Sequence, residues 1–185
     1  MSTTAYVVIG IALLIAVWAV LVYNGLVRAR NKVEEAWSGV DVQLKRRHDL
    51  VPNLVETVKG YAAHERETLA HVTQARARAM AADDPAETQR AETSLSAALG
   101  SIRALAEDYP ELRAAENFRL LQGELAEVED EIQAARRIYN SNTQDYNTRI
   151  QVIPNVLIAG PMSFAPRPFF EVEVAAERAV PQVAF

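Results

Sequence analysis

Residues 5–23 read AYVVIGIALLIAVWAVLVY, and no charged side chain occurs from Met1 to Val27. At 1.5 Å per residue, a helix of ~20 apolar residues crosses the ~30 Å of bilayer hydrocarbon, and this stretch is long enough. Tyr6 and Tyr23 stand at its two ends, roughly 26 Å apart along a helix axis, where amphipathic rings suit the two interfaces. Trp18 sits deeper and reads as a packing residue.

A cleaved leader would want a basic start, a shorter apolar run and a small-x-small cleavage site. Residues 1–4 carry no basic side chain and Val22 to Gly25 is a poor site, so the segment reads as an uncleaved anchor. Basic residues begin after it, at Arg28, Arg30 and Lys32, then at Lys45, Arg46 and Arg47. The positive-inside rule therefore predicts a cytoplasmic C-terminal body and an outward Met1–Thr4.

Working outward, Leu26, Arg30, Val33, Trp37, Val40, Leu44 and Val51 fall on a 3-4 spacing with no proline before Pro52. The membrane helix is thus predicted to run on unbroken to about Val51, with Gly39 and the turn before Pro52 as weak points. A second helical stretch carries Leu54, Val55, Val58, Tyr61, Ala62, Leu69 and Val72 on one stripe and ends at Asp83-Asp84. Asp84-Pro85-Ala86-Glu87 then offers an N-cap, a proline at the first helical position and an acidic third residue, starting a helix with Leu95, Ala98, Leu99, Ile102 and Leu105.

Asp108-Tyr109-Pro110-Glu111 repeats that start, and Phe118, Leu125, Ile132, Tyr139, Tyr146 and Ile153 follow at every seventh position. Leu121, Val128 and Ala135 fill the companion row, which Asn142 and Arg149 continue in polar form, so a coiled-coil-like seam with a wetter far end is expected. After Ile153, Pro154, Pro161, Pro166, Pro168 and Pro181 exclude long helix. Within that tail Phe170-Glu171-Val172-Glu173-Val174 alternates like a half-buried strand, with no strand partner elsewhere in the chain.

The expected fold is all-α: one N-terminal transmembrane helix continuous with an elongated antiparallel four-helix bundle, plus an extended tail with a short strand. Its divisions are a short outward tail (1–4), a transmembrane helix (5–25), a cytoplasmic helical bundle (26–153) and a Pro/Phe-rich tail (154–185). The chain has 185 residues, enough for the span and one soluble domain of roughly 130 residues. A net charge of -5 argues against nucleic acid as a partner. The absence of cysteine removes disulfides, thiolate nucleophiles and cysteine-based metal sites.

Tyr23-Asn24, Arg30-Asn31, Ala36-Trp37, Asp41 through Arg47, Asp49-Leu50-Val51-Pro52-Asn53-Leu54 and Val58-Lys59-Gly60-Tyr61 together resemble the LemA family. The likeness continues through Tyr109-Pro110, Asn117-Phe118, Leu121-Gln122, Glu124-Leu125, Arg136, Tyr139-Asn140, Tyr146-Asn147 and Pro154, and is weakest from Arg76 to Ser94. The resemblance implies a bacterial inner-membrane protein with its N-terminus outside, a cytoplasmic four-helix bundle of bromodomain-like handedness, and no established catalytic activity. It also implies a membrane-organising role, since a related protein of magnetosome-forming bacteria is linked to organelle membrane formation.

Two sets of residues are candidates for function. Arg30, Asn31, Asp41, Lys45, Arg46, Arg47, Asp49 and Asn53, echoed on the last helix by Tyr139, Asn140, Tyr146 and Asn147, are expected to form a polar interhelical network that fixes register, or else a partner-binding surface. Phe164, Phe169, Phe170, Val172 and Val174 are expected to make subunit or partner contacts, unless the tail lies along its own bundle. His64 and His71, with Glu67 or Thr68 between them, are read on one helix face at i, i+3/i+4 and i+7, a spacing that can hold a metal, but solvated polar residues are the favoured reading.

No phosphate-binding glycine pattern or serine-hydrolase elbow is present, so no enzyme, cofactor or metal is expected. The favoured function is a homo-oligomeric scaffold that organises or shapes the inner membrane, with lipid and further copies of itself as partners. The alternative is a monomeric adaptor presenting its bundle to another membrane protein.

Overall fold

The computed structural model describes residues 3–171. All regular structure among them is helical: α1 (Thr3–Tyr61), α2 (Arg66–Met80), α3 (Pro85–Asp108), α4 (Pro110–Ala114), α5 (Glu116–Gln151) and α6 (Val156–Ala159). Phe170 and Glu171, the start of the expected strand, are irregular, and Val172 to Val174 lie outside the described residues. The described residues divide into two compact units, one formed by residues 3–38 and 138–168 and the other by residues 39–137 and 169–171.

The first unit holds the apolar half of α1. Tyr6, Leu13, Leu14, Ile15, Val17, Val20 and Leu21 are all exposed, so this part of the helix has apolar surface on every side and no protein core to face. That pattern marks a helix whose surroundings are themselves apolar. From Leu26 onward the helix becomes one-sided, burying Leu26, Ala29 and Val33 beside Tyr139, Tyr146 and Ile150 of α5. The Trp37 and Tyr139 rings pack at 5.2 Å, and Asn142 Nδ2 donates to the Lys32 carbonyl at 3.3 Å. As numbers fall along α1 they rise along α5, so the two segments are antiparallel here.

The second unit closes on one apolar core shared by Val51, Leu54 and Val58 of α1, Leu69 and Val72 of α2, Leu95, Leu99 and Ile102 of α3, Leu112 of α4, and Phe118 and Leu125 of α5. Each such side chain contributes about 1.5–3 kcal/mol by leaving water. Asp84 caps α3 as its sequence predicts, its side chain accepting from the Glu87 amide at 2.8 Å with Pro85 in the first turn.

Three boundaries differ from the sequence reading. Pro52 does not end a helix: α1 passes through it to Tyr61, and the break falls at residues 62–65 instead. A proline leaves the carbonyl four residues earlier without its amide partner, and that carbonyl, of His48, accepts from Arg76 Nε at 2.7 Å. Pro110 opens only the one-turn α4, because Ala115 adopts an extended backbone (φ -62, ψ 128) before α5 begins.

The third difference is Ile153, which lies past the end of α5 and is 85% exposed, while Ile150 is buried. A straight helix drifts ~20° per heptad, so a seven-residue row begun at Phe118 leaves the buried face unless the helix supercoils.

Candidate functional site

In the second unit the buried face of α1 carries charge. Arg47 and His48 fall among Leu44 and Val51, and both are buried. Opposite them on α3 stands Glu92, which is 0% exposed. Arg47 Nη1 lies 3.2 Å from Glu92 Oε2, and its Nη2 donates to Ser96 Oγ at 2.7 Å and lies 3.5 Å from Glu129 Oε2. His48 Nε2 lies 2.6 Å from the other Glu92 oxygen. An unpaired buried carboxylate would be heavily penalised, so two cationic or donor groups on a single helix turn lock α3 against α1 in one register.

The sequence carried a usable signal for this cluster. Val40, Leu44, Arg47, His48 and Val51 sit on one helical stripe, as do Thr88, Glu92, Leu95 and Leu99, so each polar residue occupies a core position. Arg47 stands in the predicted polar set, whereas its partner Glu92 lies outside that set, in the least family-like stretch.

In the first unit the chain returns along α5 and is held there by side chains that grip its backbone. Phe164 N donates to the Ala159 carbonyl at 3.0 Å, and Ser163 takes a positive φ of 57°, reversing the chain after α6. Tyr146 Oη then donates to the Ala165 carbonyl at 3.0 Å, and Tyr139 Oη to the Pro168 carbonyl at 2.8 Å. Between them Asn147 pairs both ways with Arg167, its Nδ2 donating to the carbonyl and its Oδ1 accepting from the amide, each at 2.8 Å. The Arg167 guanidinium meets Glu34 of α1 at 2.9 Å.

Tyr139, Tyr146 and Asn147 lie at i, i+7 and i+8, so one helix face delivers all three to the returning strand of chain. Burial raises the Tyr139 phenol above its ordinary pKa, offset in part by the neighbouring Thr143 hydroxyl and the Arg167 charge. Burial raises Tyr146 likewise, against the lowering effect of Arg167 and Arg30. Both phenols therefore remain protonated donors, as the clamp requires.

Of the predicted contact residues, Phe164 is buried, edge-on to Tyr23 at 5.7 Å and with the Arg30 guanidinium 5.6 Å from its ring centre. Phe169 is exposed and Phe170 fully buried, with the next amide, of Glu171, donating to Gln89 Oε1 at 3.3 Å. Val172 and Val174 lie outside the described residues.

Of the predicted polar residues, Arg30 and Asn147 belong to the first unit and surround the tail as described, with Asn140 half-buried on the same helix and Asn31 exposed. Asp41 pairs with Lys45 at 2.6 Å and Arg46 with Glu131 at 2.9 Å, all on exposed surface in the second unit. Asp49 and Asn53 are exposed there too. His64 falls in the turn before α2 and His71 within α2, so they share no helix; both are exposed. Glu67, His71, Gln74 and Ser101 line an open groove over α2.

The chain is similar to known proteins. A statistical description of the LemA family matches residues 36–185. Protein LemA of Metamycoplasma hominis is 29% identical over 128 residues, covering 69% of this chain and 58% of that protein. Magnetosome protein MamQ 2 of Paramagnetospirillum magneticum is 24% identical over 201 residues, covering 94% and 74%. Magnetosome protein MamQ of Magnetospirillum gryphiswaldense is 23% identical over 158 residues, covering 71% of this chain and 58% of its own length. The chain thus spans rather more than half of the first of these relatives. α1 is long and apolar enough to cross a bilayer. On the match that runs from Ala36 to its last residue, it belongs to the LemA family.

Proposed function

We propose that this chain is a membrane-anchored, non-catalytic scaffold that self-associates on the cytoplasmic face of a bacterial inner membrane. The observation that carries the reading is the composition of α1, which is apolar on all sides up to Leu21 and one-sided from Leu26 onward. Such a helix is an anchor in its first part and a bundle member in its second. The segments of α1, α2, α3 and α5 are read as the antiparallel four-helix bundle of the body, oriented inward by Arg28, Lys32 and Lys45.

Self-association is read from the tail. Tyr139, Tyr146 and Asn147 grip carbonyl and amide groups of residues 165–168, which any copy of the chain can offer. Exchange of that segment between neighbours, with Phe169, Val172 and Val174 beyond it as further contacts, builds a ring or cage at little energetic cost. The partners in this reading are lipid and the chain itself.

The test is particle mass and shape of the full chain in mild detergent, by light scattering and electron microscopy, beside a variant lacking residues 165–185. Uniform multimers that fall apart in the shortened variant, with helicity retained, are expected. A full-length monomer would overturn the scaffold, and a foreign membrane protein co-purifying in fixed ratio with that monomer would establish the adaptor in its place.

A further inference from the structure

Between the end of α5 and the clamped tail, residues 152–162 read VIPNVLIAGPM, eleven positions without a charge. This turn is displayed outward: besides Ile153, Leu157 is 64% and Met162 57% exposed, and Val152 and Val156 are exposed as well. A water-soluble surface rarely concentrates so much apolar area in one short segment.

Its position says what covers it. Trp37 lies against Tyr139, the Lys32 carbonyl against Asn142, and Gly25 and Arg28 border one cleft with Asp145 and Arg149. Continuing this antiparallel register, α5 ends level with about Tyr23 and the turn falls alongside the apolar segment that precedes it. Phe164, immediately after the turn, touches the Tyr23 ring. Arg28 and Lys32 stand on the other side of that level as basic groups suited to lipid headgroups, beside Arg149, which pairs with Asp145 at 2.9 Å.

We propose that residues 152–162 are a second membrane contact, an apolar turn inserted beside α1 into the leaflet on the body's side, with lipid acyl chains around Ile153 and Leu157. The assignment rests on reading α1 as a bilayer span. It makes the chain grip the membrane at two points of one unit, so the bilayer meets a wedge and not a lone helix.

The chain has no native cysteine, so single substitutions report cleanly. The full chain is reconstituted in phosphatidylcholine–phosphatidylglycerol vesicles with a polarity-sensitive fluorophore at Ile153→Cys, Leu157→Cys, Leu14→Cys or Ser141→Cys. All four side chains are exposed, and unchanged helicity by circular dichroism confirms the fold of each.

Labels at 153 and 157 should lose quenching by aqueous iodide and gain quenching by lipid-bound nitroxide, as at 14, with 141 behaving oppositely. Iodide quenching at 153 and 157 while 14 stays protected overturns the second contact alone. Protection from both quenchers overturns it in favour of a protein cover, such as a second copy. Iodide access at 14 overturns the span reading and this proposal together.

Discussion

Arg76 Nε sits 2.7 Å from the His48 carbonyl oxygen, the one acceptor that Pro52 strips of its helical partner. A side chain on α2 thus completes a hydrogen bond that α1 cannot make for itself, and the helix continues through its proline. Arg76→Met should cost about 1–2 kcal/mol by leaving that carbonyl unmet. In a Pro52→Ala background, where the restored amide reaches His48, the same change should cost clearly less. Denaturant melts of the four proteins form the double-mutant cycle, and an identical cost in both backgrounds would refute the link.

Position relative to water should separate two neighbouring arginines. Arg46 holds Glu131 and Glu127 on exposed surface, and such pairs contribute ~0–1 kcal/mol, so Arg46→Ala should scarcely move the melting midpoint. Glu92→Leu removes the carboxylate that Arg47 and His48 share, leaving Arg47 only Ser96 and Glu129, and should cost about 3–5 kcal/mol. Adding Arg47→Met to Glu92→Leu should recover part of that loss. Additive losses would show that the cluster is not one coupled unit.

Asn147→Ala removes both hydrogen bonds to the Arg167 backbone. At about 1 kcal/mol for each bond, the tail should open on the order of ten- to thirtyfold more often. Amide exchange at Arg167 reads this directly, while amides in the α2 and α3 cores should exchange as before. Unchanged protection at Arg167 would show that the clamp does not depend on this side chain.

The raised tyrosines fix a sign for the alkaline limb of stability. Unfolded tyrosine titrates near 10. Above that pH the unfolded chain sheds protons that folded Tyr139 and Tyr146 keep, so the contribution is full below about pH 10 and is lost as pH rises further. A Tyr139→Phe, Tyr146→Phe variant should show a shallower alkaline decline than the natural chain, although it is less stable at neutral pH. Parallel declines in the two proteins would contradict the assignment.

Much of this fold is legible in residue patterns, because local rules govern it. The charge-free run before Arg28, the Asp84-Pro85 helix start and the buried row from Phe118 to Tyr146 all follow from spacing and composition. The passage of α1 through Pro52 is not legible, since its remedy is Arg76, far along the chain.

The sites divide in the same way. Asn147 is visible as an unusual polar residue on the last long helix, but its partner is backbone, which no residue type announces. Arg47, His48 and Glu92 sit at core spacings, yet a charge beside a membrane segment reads first as a topological signal. The apolar turn after α5 looks like a proline-rich tail until Phe164 is found against Tyr23.

The clamp on the returning tail recognises peptide groups at residues 165, 167 and 168, and only Arg167 also engages it through a side chain. Such a grip is nearly blind to the spelling of what it holds. Substitutions at Ala165 or Pro168 that keep the extended path leave its hydrogen bonds intact, so this part of the tail is free to drift in evolution. Under the proposed exchange of this segment between neighbours, two diverged copies in one cell would still fit each other's clamps, and mixed assemblies would form by default unless some other surface had evolved to forbid them.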